Sequence, residues 1–295
     1  MSPRLGIVYA SDEANAHAVA VSARSLVNHW PQASVIVLAQ QWGKESKDFL
    51  SRAFVSSEDV TRIDIQETSL PPGQAHISSA TFIRLLIPDL LPDLDLCLYL
   101  DADTLVRGSV KDLLHSTVFG GRSTAAVRDS EVPKIGSSPG CQWRAEGLDP
   151  HADYVNAGVL VMDLERWRDE SIGSRALDWI LRNPRAWVDN DAICATLNGD
   201  VALLPRRFNA TLHMMRQTSP VYGYERADDV DGARLNPTIV HFTGAIKPWH
   251  SNAVMPFLDE WRQIAADLGW VKFAHSFTLK RRLERLLIQA LDSQA

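Results

Sequence analysis

An α/β domain with a largely parallel, nucleotide-binding type of sheet flanked by helices is the fold this sequence predicts, and three observations predict it. Short apolar runs alternate with segments of helical periodicity over the first 65 residues. Residues 94–100 are nearly all apolar, as in a central strand buried on both faces. Two acidic residues, Asp101 and Asp103, stand just past that run, at the carboxyl edge where open sheets bind ligands.

The elements follow in order. Residues 5–10 read as a short buried strand, and Asp12 as the N-cap of a helix over 14–30. In that helix Ala18, Val21, Ser22, Ser25, Leu26 and Trp30 fall near helical spacing, and Pro31 ends it. Strands at 34–39 and 60–65 flank a helix at 45–53. Pro71, Pro72 and Gly73 mark a loop, and 79–86 reads as a helix carrying Arg84. A strand at 125–127 ends at Asp129. Residues 130–153, with three glycines and three prolines, read as a long irregular segment of the kind that often forms a lid. A strand at 154–162 and helices at 164–183 and 189–198 come next. Short strands follow at 201–204 and 238–241, separated by a polar loop at 223–236.

The acidic pair carries the chemistry. Two carboxylates so close repel each other unless a cation sits near. Hard oxygen ligands suit magnesium or manganese, ions that also bind substrate phosphates and neutralise a departing diphosphate. The plainer alternative is a pair of solvated loop carboxylates or helix caps.

The run Leu98-Tyr99-Leu100-Asp101-Ala102-Asp103-Thr104-Leu105-Val106 resembles the metal-binding signature of the family 8 retaining glycosyltransferases, which include bacterial lipooligosaccharide galactosyltransferases and glycogenin. Three further segments match in order. Tyr154-Val155-Asn156-Ala157-Gly158 resembles the family's "FNAG" strand, and Asp189-Asn190-Asp191 with Asn198 its "DQD…N" helix. His241-Phe242-Thr243-Gly244-Ala245-Ile246-Lys247-Pro248-Trp249 resembles its "HFxGxxKPW" segment.

The resemblance spans residues 5–262 and implies a Rossmann-like, mixed-sheet GT-A domain over 1–265 with a tail over 266–295. It implies hexose transfer from UDP-glucose or UDP-galactose, with retention, to a glycan or lipid-linked saccharide in lipopolysaccharide or surface-glycan synthesis. In its terms Ala10 and Asp12 hold the nucleoside, Arg84 reaches the nucleotide sugar, and Asp101, Asp103 and His241 hold Mn²⁺. Gly244 and Lys247 contact the diphosphate. Ala102 and Ala157 lie among the substrate contacts. Asp129, Asn156, Asp189 and Asn190 line the sugar site, with Asp189 and Asn190 nearest the reaction. The sequence departs from the pattern twice. Ala14 stands where the family often has asparagine, with Asn15 next to it. Asn190 replaces the usual glutamine and is one methylene shorter, and a displacement of roughly 1 Å at a reacting centre costs about 10²-fold in rate.

Other function classes weigh less. Of 295 residues, 45% are hydrophobic and 22% charged, with net charge −6, so the basic excess of a nucleic-acid binder is missing. A nucleotidyltransferase would more often carry a glycine-rich loop after the first strand, where only Gly6 occurs. A nucleotide-sugar sensor or degenerate binding module would bind a donor without releasing UDP. Cys97, Cys141 and Cys194 are odd in number and widely spaced, which predicts neither disulfides nor a zinc site and points to the cytoplasm. No apolar run of about 18 residues is present, so membrane contact would be peripheral. The basic amphipathic pattern of 279–291 suits such contact, or packing on the domain or a partner helix.

Overall fold

A computed structural model describes residues 3–56, 60–65, 79–183, 188–216, 227–271 and 273. Its chain runs β1 (Leu5–Asp12), α1 (Ala16–His29), β2 (Val35–Gln40), α2 (Lys44–Ser51), β3 (Val60–Ile65), α3 (Ile83–Leu90) and β4 (Leu96–Leu100). There follow β5 (Thr104–Val106), β6 (Thr124–Arg128), α4 (Trp143–Glu146), β7 (Val155–Asp163), α5 (Leu164–Asp169), α6 (Ile172–Arg182) and α7 (Val188–Leu197). The last elements are β8 (Val201–Leu203), β9 (Ala210–Thr211), α8 (Leu212–Arg216), α9 (Ala227–Leu235), β10 (Ile239–His241) and α10 (Leu258–Asp267).

Among the described residues, seven strands form one sheet in the order β3-β2-β1-β4-β7-β6-β8, and β5-β10-β9 form a smaller one. The first four are parallel, and β7 runs antiparallel to both β4 and β6. Period-two alternation sorts the side chains into two layers. On β1, Ile7 and Tyr9 face one layer while Val8 and Ala10 face the other; on β4, Leu96, Leu98 and Leu100 oppose Cys97 and Tyr99. Burying each leucine or valine contributes about 1.5–3 kcal/mol, far more than an exposed ion pair. Apolar side chains on both faces of β4 are what make its sequence an almost unbroken apolar run.

Helix α1 is alanine-rich and packs flat, and its two buried serines dock β5. The Ser22 hydroxyl meets the Thr104 hydroxyl at 2.7 Å, and the Val106 N–H donates to Ser25 Oγ at 2.9 Å. The chain just past the acidic pair is thereby fixed to the core. At the far end, Trp249, Trp261 and Trp270 pack ring against ring, and Trp270 also meets His17 and Phe49. Helix α10 runs across residue 265, and Leu268 beyond it is buried in the same core. Among the described residues no helix is long and apolar enough to cross a membrane. The segment 279–291 lies outside the described residues.

Several expectations are corrected. The helix expected at 79–86 begins as a 3-10 turn, Ser79–Phe82, and then continues as α3 through Pro88 to Leu90. The expected helix over 164–183 breaks in two at Ser171, which takes a left-handed φ of 52°. Residues 227–235 of the expected polar loop form α9, because Val230 and Ala233 bury against Ala210 and Met214; residues 223–226 lie outside the described residues. The segment 130–153 is irregular, as expected, apart from a 3-10 turn at Ile135–Ser137 and the short helix α4. The buried Asp191 carboxylate pins it, accepting from the Ser138 hydroxyl at 2.6 Å while also accepting from Tyr154 at 2.9 Å.

Candidate metal and donor site

Strand pairing brings the acidic pair and the histidine together. The Asp101 N–H donates to the Gly158 carbonyl at 2.9 Å, which ties the end of β4 to β7. Strand β10 pairs antiparallel with β5, with His241 opposite Thr104, so register alone sets His241 beside Asp103. The Phe242 N–H then donates to the Asp103 carbonyl at 2.9 Å. His241 Nε2 lies 3.2 Å from Asp103 Oδ1 and 3.6 Å from Asp101 Oδ2. One ligand atom from each of the three lies within 4.8 Å of the others. A Cβ on Gly158 would fall 2.1 Å from His241 Cε1 and 2.7 Å from Asp101 Oδ2. The ligands therefore close over a glycine that no other residue could replace without displacing them. Two carboxylates and an imidazole converging in this way fit a divalent metal.

Arg84 is the hub of the neighbouring wall. It is buried, and its guanidinium reaches Asp101 Oδ1 at 2.8 Å, Asp189 Oδ2 at 3.2 Å and the Ala157 carbonyl at 2.8 Å. The Tyr99 hydroxyl adds a 2.7 Å donation to Asp101 Oδ1. Burial alone would lower the Arg84 pKa, but Asp101 and then Asp189 outweigh it and hold the group firmly charged. Burial pushes the Asp189 carboxyl up, with Arg84 opposing. At Asp103 burial also pushes up, yet Lys247 and then His241 prevail and keep this carboxyl well below the usual carboxylate range. Lys247 Nζ bonds directly to Asp103 Oδ2 and donates to the Phe242 carbonyl at 3.0 Å.

A network of amides lines the other side. The Ala157 N–H donates to Asn190 Oδ1 at 2.8 Å, so the Asn190 carbonyl is engaged with the backbone. Asn156 Nδ2 donates to Asp129 Oδ2 at 3.0 Å, and the other oxygen of Asp129 accepts the N–H groups of Glu131 and Val132 at 2.8 and 2.9 Å.

One open cleft at the sheet edge is lined by Ala10, Asp12, Arg84, Asp101, Ala102, Asp103 and Lys247, all anticipated from sequence. Behind this lining, Asp189 and the Ala157 carbonyl bond to Arg84, Asn190 bonds to the Ala157 N–H, and His241 stands against Asp101 and Asp103; Asn156 and Asp129 bond to each other, and none of these six lines the cleft itself. Gly244 is exposed at φ 89° and does not line the cleft; open space surrounds it, so its backbone conformation is what calls for glycine. Asn15, next to Ala14, has no role in the motif pattern. A 3-10 turn, Glu13–Asn15, brings it into the cleft, where its N–H and Nδ2 donate to Asp12 Oδ1 at 3.3 and 3.1 Å. Ser11, Thr81 and Trp249 also line the cleft, and Tyr99 and Asn209 support it from behind. Trp249 ends the segment that begins at His241, and the motif pattern alone gives it no role.

This architecture is that of an α/β enzyme with a candidate divalent-metal site at the sheet's carboxyl edge. Residues 6–253 match the profile described as Glycosyl transferase family 8. The chain belongs to that family and is a glycosyltransferase. It is 28% identical over 205 residues to General stress protein A of Bacillus subtilis (strain 168), covering 66% of this chain and 68% of that one. It is 28% identical over 236 residues to the lipopolysaccharide 1,2-glucosyltransferase of Escherichia coli (strain K12), covering 77% of this chain and 68% of that one. Its fold is shared with the galactosyltransferase LgtC, crystallised with donor and acceptor sugar analogs. The TM-score is 0.76 at 24% identity, over 88% of this chain and 95% of that one.

Proposed function

We propose that this chain transfers glucose or galactose from its UDP derivative to a glycan or lipid-linked saccharide, with retention at the anomeric carbon and manganese as the bound ion. One coincidence carries the reading: the acidic pair, clustered with His241, opens onto the same cleft as Arg84 and Lys247, at the carboxyl edge of the parallel strands. Mixed carboxylate and imidazole ligands favour manganese over magnesium. The lipopolysaccharide glucosyltransferase among the relatives supports a bacterial surface glycan as acceptor, built at the cytoplasmic face of the membrane.

When bound, the ion supplies Lewis-acid neutralisation of the departing diphosphate. Lys247, on a flexible stem, turns from Asp103 toward phosphate oxygens. Arg84 stays in place and braces Asp101 and Asp189, which keeps the ligand edge and the sugar wall in fixed relation. Asn190 has its oxygen on the Ala157 N–H, so its NH₂ is the group offered to the sugar. Asp129 is committed to two backbone N–H groups and Asn156, and Asp189 to Arg84. Neither is a free nucleophile. This favours attack by the acceptor hydroxyl on the face the diphosphate leaves, with its proton passing to the leaving oxygen.

UDP release from UDP-glucose and UDP-galactose, with and without Mn²⁺, tests the reading and names the sugar. Asp103→Ala is expected to lower turnover by roughly 10²–10³-fold, the scale of losing one electrostatic contact to developing charge. Full turnover by Asp103→Ala in excess chelator would sink it, and binding of a UDP-sugar without any release of UDP would favour a sensor.

A further inference from the structure

Asn209 belongs to no motif in the sequence, yet it is 1% exposed and sits against a candidate metal ligand. It follows the 3-10 turn Arg206–Phe208 and leads into β9, whose parallel pairing with β10 sets Thr211 opposite His241. Its side chain bridges two groups. Asn209 Nδ2 lies 3.0 Å from Asn156 Oδ1, and Asn209 Oδ1 lies 3.0 Å from His241 Nδ1.

The direction of every bond in this chain is fixed by its far end. The Asp129 carboxylate accepts from the Glu131 and Val132 N–H groups and from Asn156, which turns its NH₂ toward it at 3.0 Å. The Gly158 N–H can only donate, and it reaches Asn156 Oδ1 at 3.1 Å. The Asn156 oxygen therefore faces Asn209, which must present its own NH₂. That leaves the Asn209 oxygen toward His241, where it can only accept, so the proton on His241 sits at Nδ1. Nε2 is then the ring nitrogen left to face Asp101 and Asp103, 3.6 and 3.2 Å away, and with a cation between them it offers its lone pair.

We infer that Asn209 is a positioning residue that fixes His241 as the Nδ1–H tautomer, presenting a bare Nε2 to a divalent cation. This rests on the reading of Asp101, Asp103 and His241 as metal ligands. Partners of this kind orient a ligating imidazole and raise its basicity, and losing one costs about 10–100-fold in metal affinity.

Mn²⁺ binding by the protein without nucleotide, read from the loss of the free-ion electron paramagnetic resonance signal, supplies the test. Asn209→Leu and Asn209→Asp are close in size, and only the second keeps an acceptor for His241. Asn209→Leu is expected to weaken Mn²⁺ binding roughly 10–100-fold, and Asn209→Asp to stay within a few-fold of the parent. Equal losses in both variants, or none in the leucine variant, overturn the inference. His241→Ala serves as the reference. If it binds Mn²⁺ as tightly as the parent, the ligand assignment itself fails; if it binds poorly while Asn209→Leu does not, only the positioning role fails. A further readout needs no substitution at Asn209: nitrogen-15 spectra of the unmodified protein loaded with diamagnetic Zn²⁺ are expected to show the His241 proton on Nδ1. A proton on Nε2 overturns the inference.

Discussion

The two walls of the cleft are built by different physics. The wall of Asp101, Asp103, His241, Arg84 and Asn156 is held by charges and directional hydrogen bonds drawn from β4, β7, β10, α3 and α7. The opposite wall ends in Trp249, and behind it Trp261, Trp270, His17 and Phe49 pack ring on ring. Asp12 on that side bonds within its own turn, to Asn15. The first wall has one permitted arrangement, because each donor needs its acceptor. The second is non-directional and tolerates small shifts. On the proposed function, the departing diphosphate falls to the former and the flat nucleobase to the latter.

The comparison can be broken at the first wall. Arg84→Leu leaves Asp101 and Asp189 facing each other without their shared cation and is expected to cost about 3–5 kcal/mol of stability, the scale for stripping one partner from a buried ion pair. Chemical denaturation with and without Mn²⁺ checks it, and the ion should return part of the loss. An unchanged midpoint would mean that the wall is not held by charge.

Gly158→Ala comes next. Its new Cβ must push His241 and Asp101 apart, at a cost of about 1–3 kcal/mol, and Mn²⁺ affinity should fall together with the unfolding midpoint. An alanine variant that binds Mn²⁺ as the parent does would show the cradle to be looser than its contacts suggest.

The smallest effect belongs to the aromatic wall. Burial holds the His17 pKa below its ordinary value near 6.5, with Glu45 and Glu13 opposing. The unfolded chain then takes up a proton that the folded one refuses. This contribution is complete above about pH 6.5 and falls away as pH drops toward the lowered pKa. His17→Gln should flatten that slope in a series of denaturation curves. A slope that persists unchanged assigns it to another group.

The sequence was most legible where burial is continuous. β1, β4 and β7 are readable because both faces are apolar, and the motifs at their ends follow directly. It was least legible where structure depends on distant partners. β9 is two residues long and exists only through its pairing with β10. Helix α9 has a weak pattern, with a glycine and three aspartates, and only tertiary contacts of Val230 and Ala233 make it a helix. Asn209 shares that obscurity: its significance lies entirely in what β9 brings next to it. Asp191 shows what glycine and proline content leaves out at 130–153. The loop composition is real, but a buried carboxylate supplies the ties that regular structure would otherwise provide.

The stacked tryptophans have an optical consequence. Trp249, Trp261 and Trp270 lie 5.4–6.3 Å apart, ring to ring, so excitation absorbed by one indole passes readily to the others. They emit as one coupled chromophore. On the proposed function, a nucleobase laid against Trp249 is expected to quench all three, so that indole fluorescence would report occupancy of the cleft without a label.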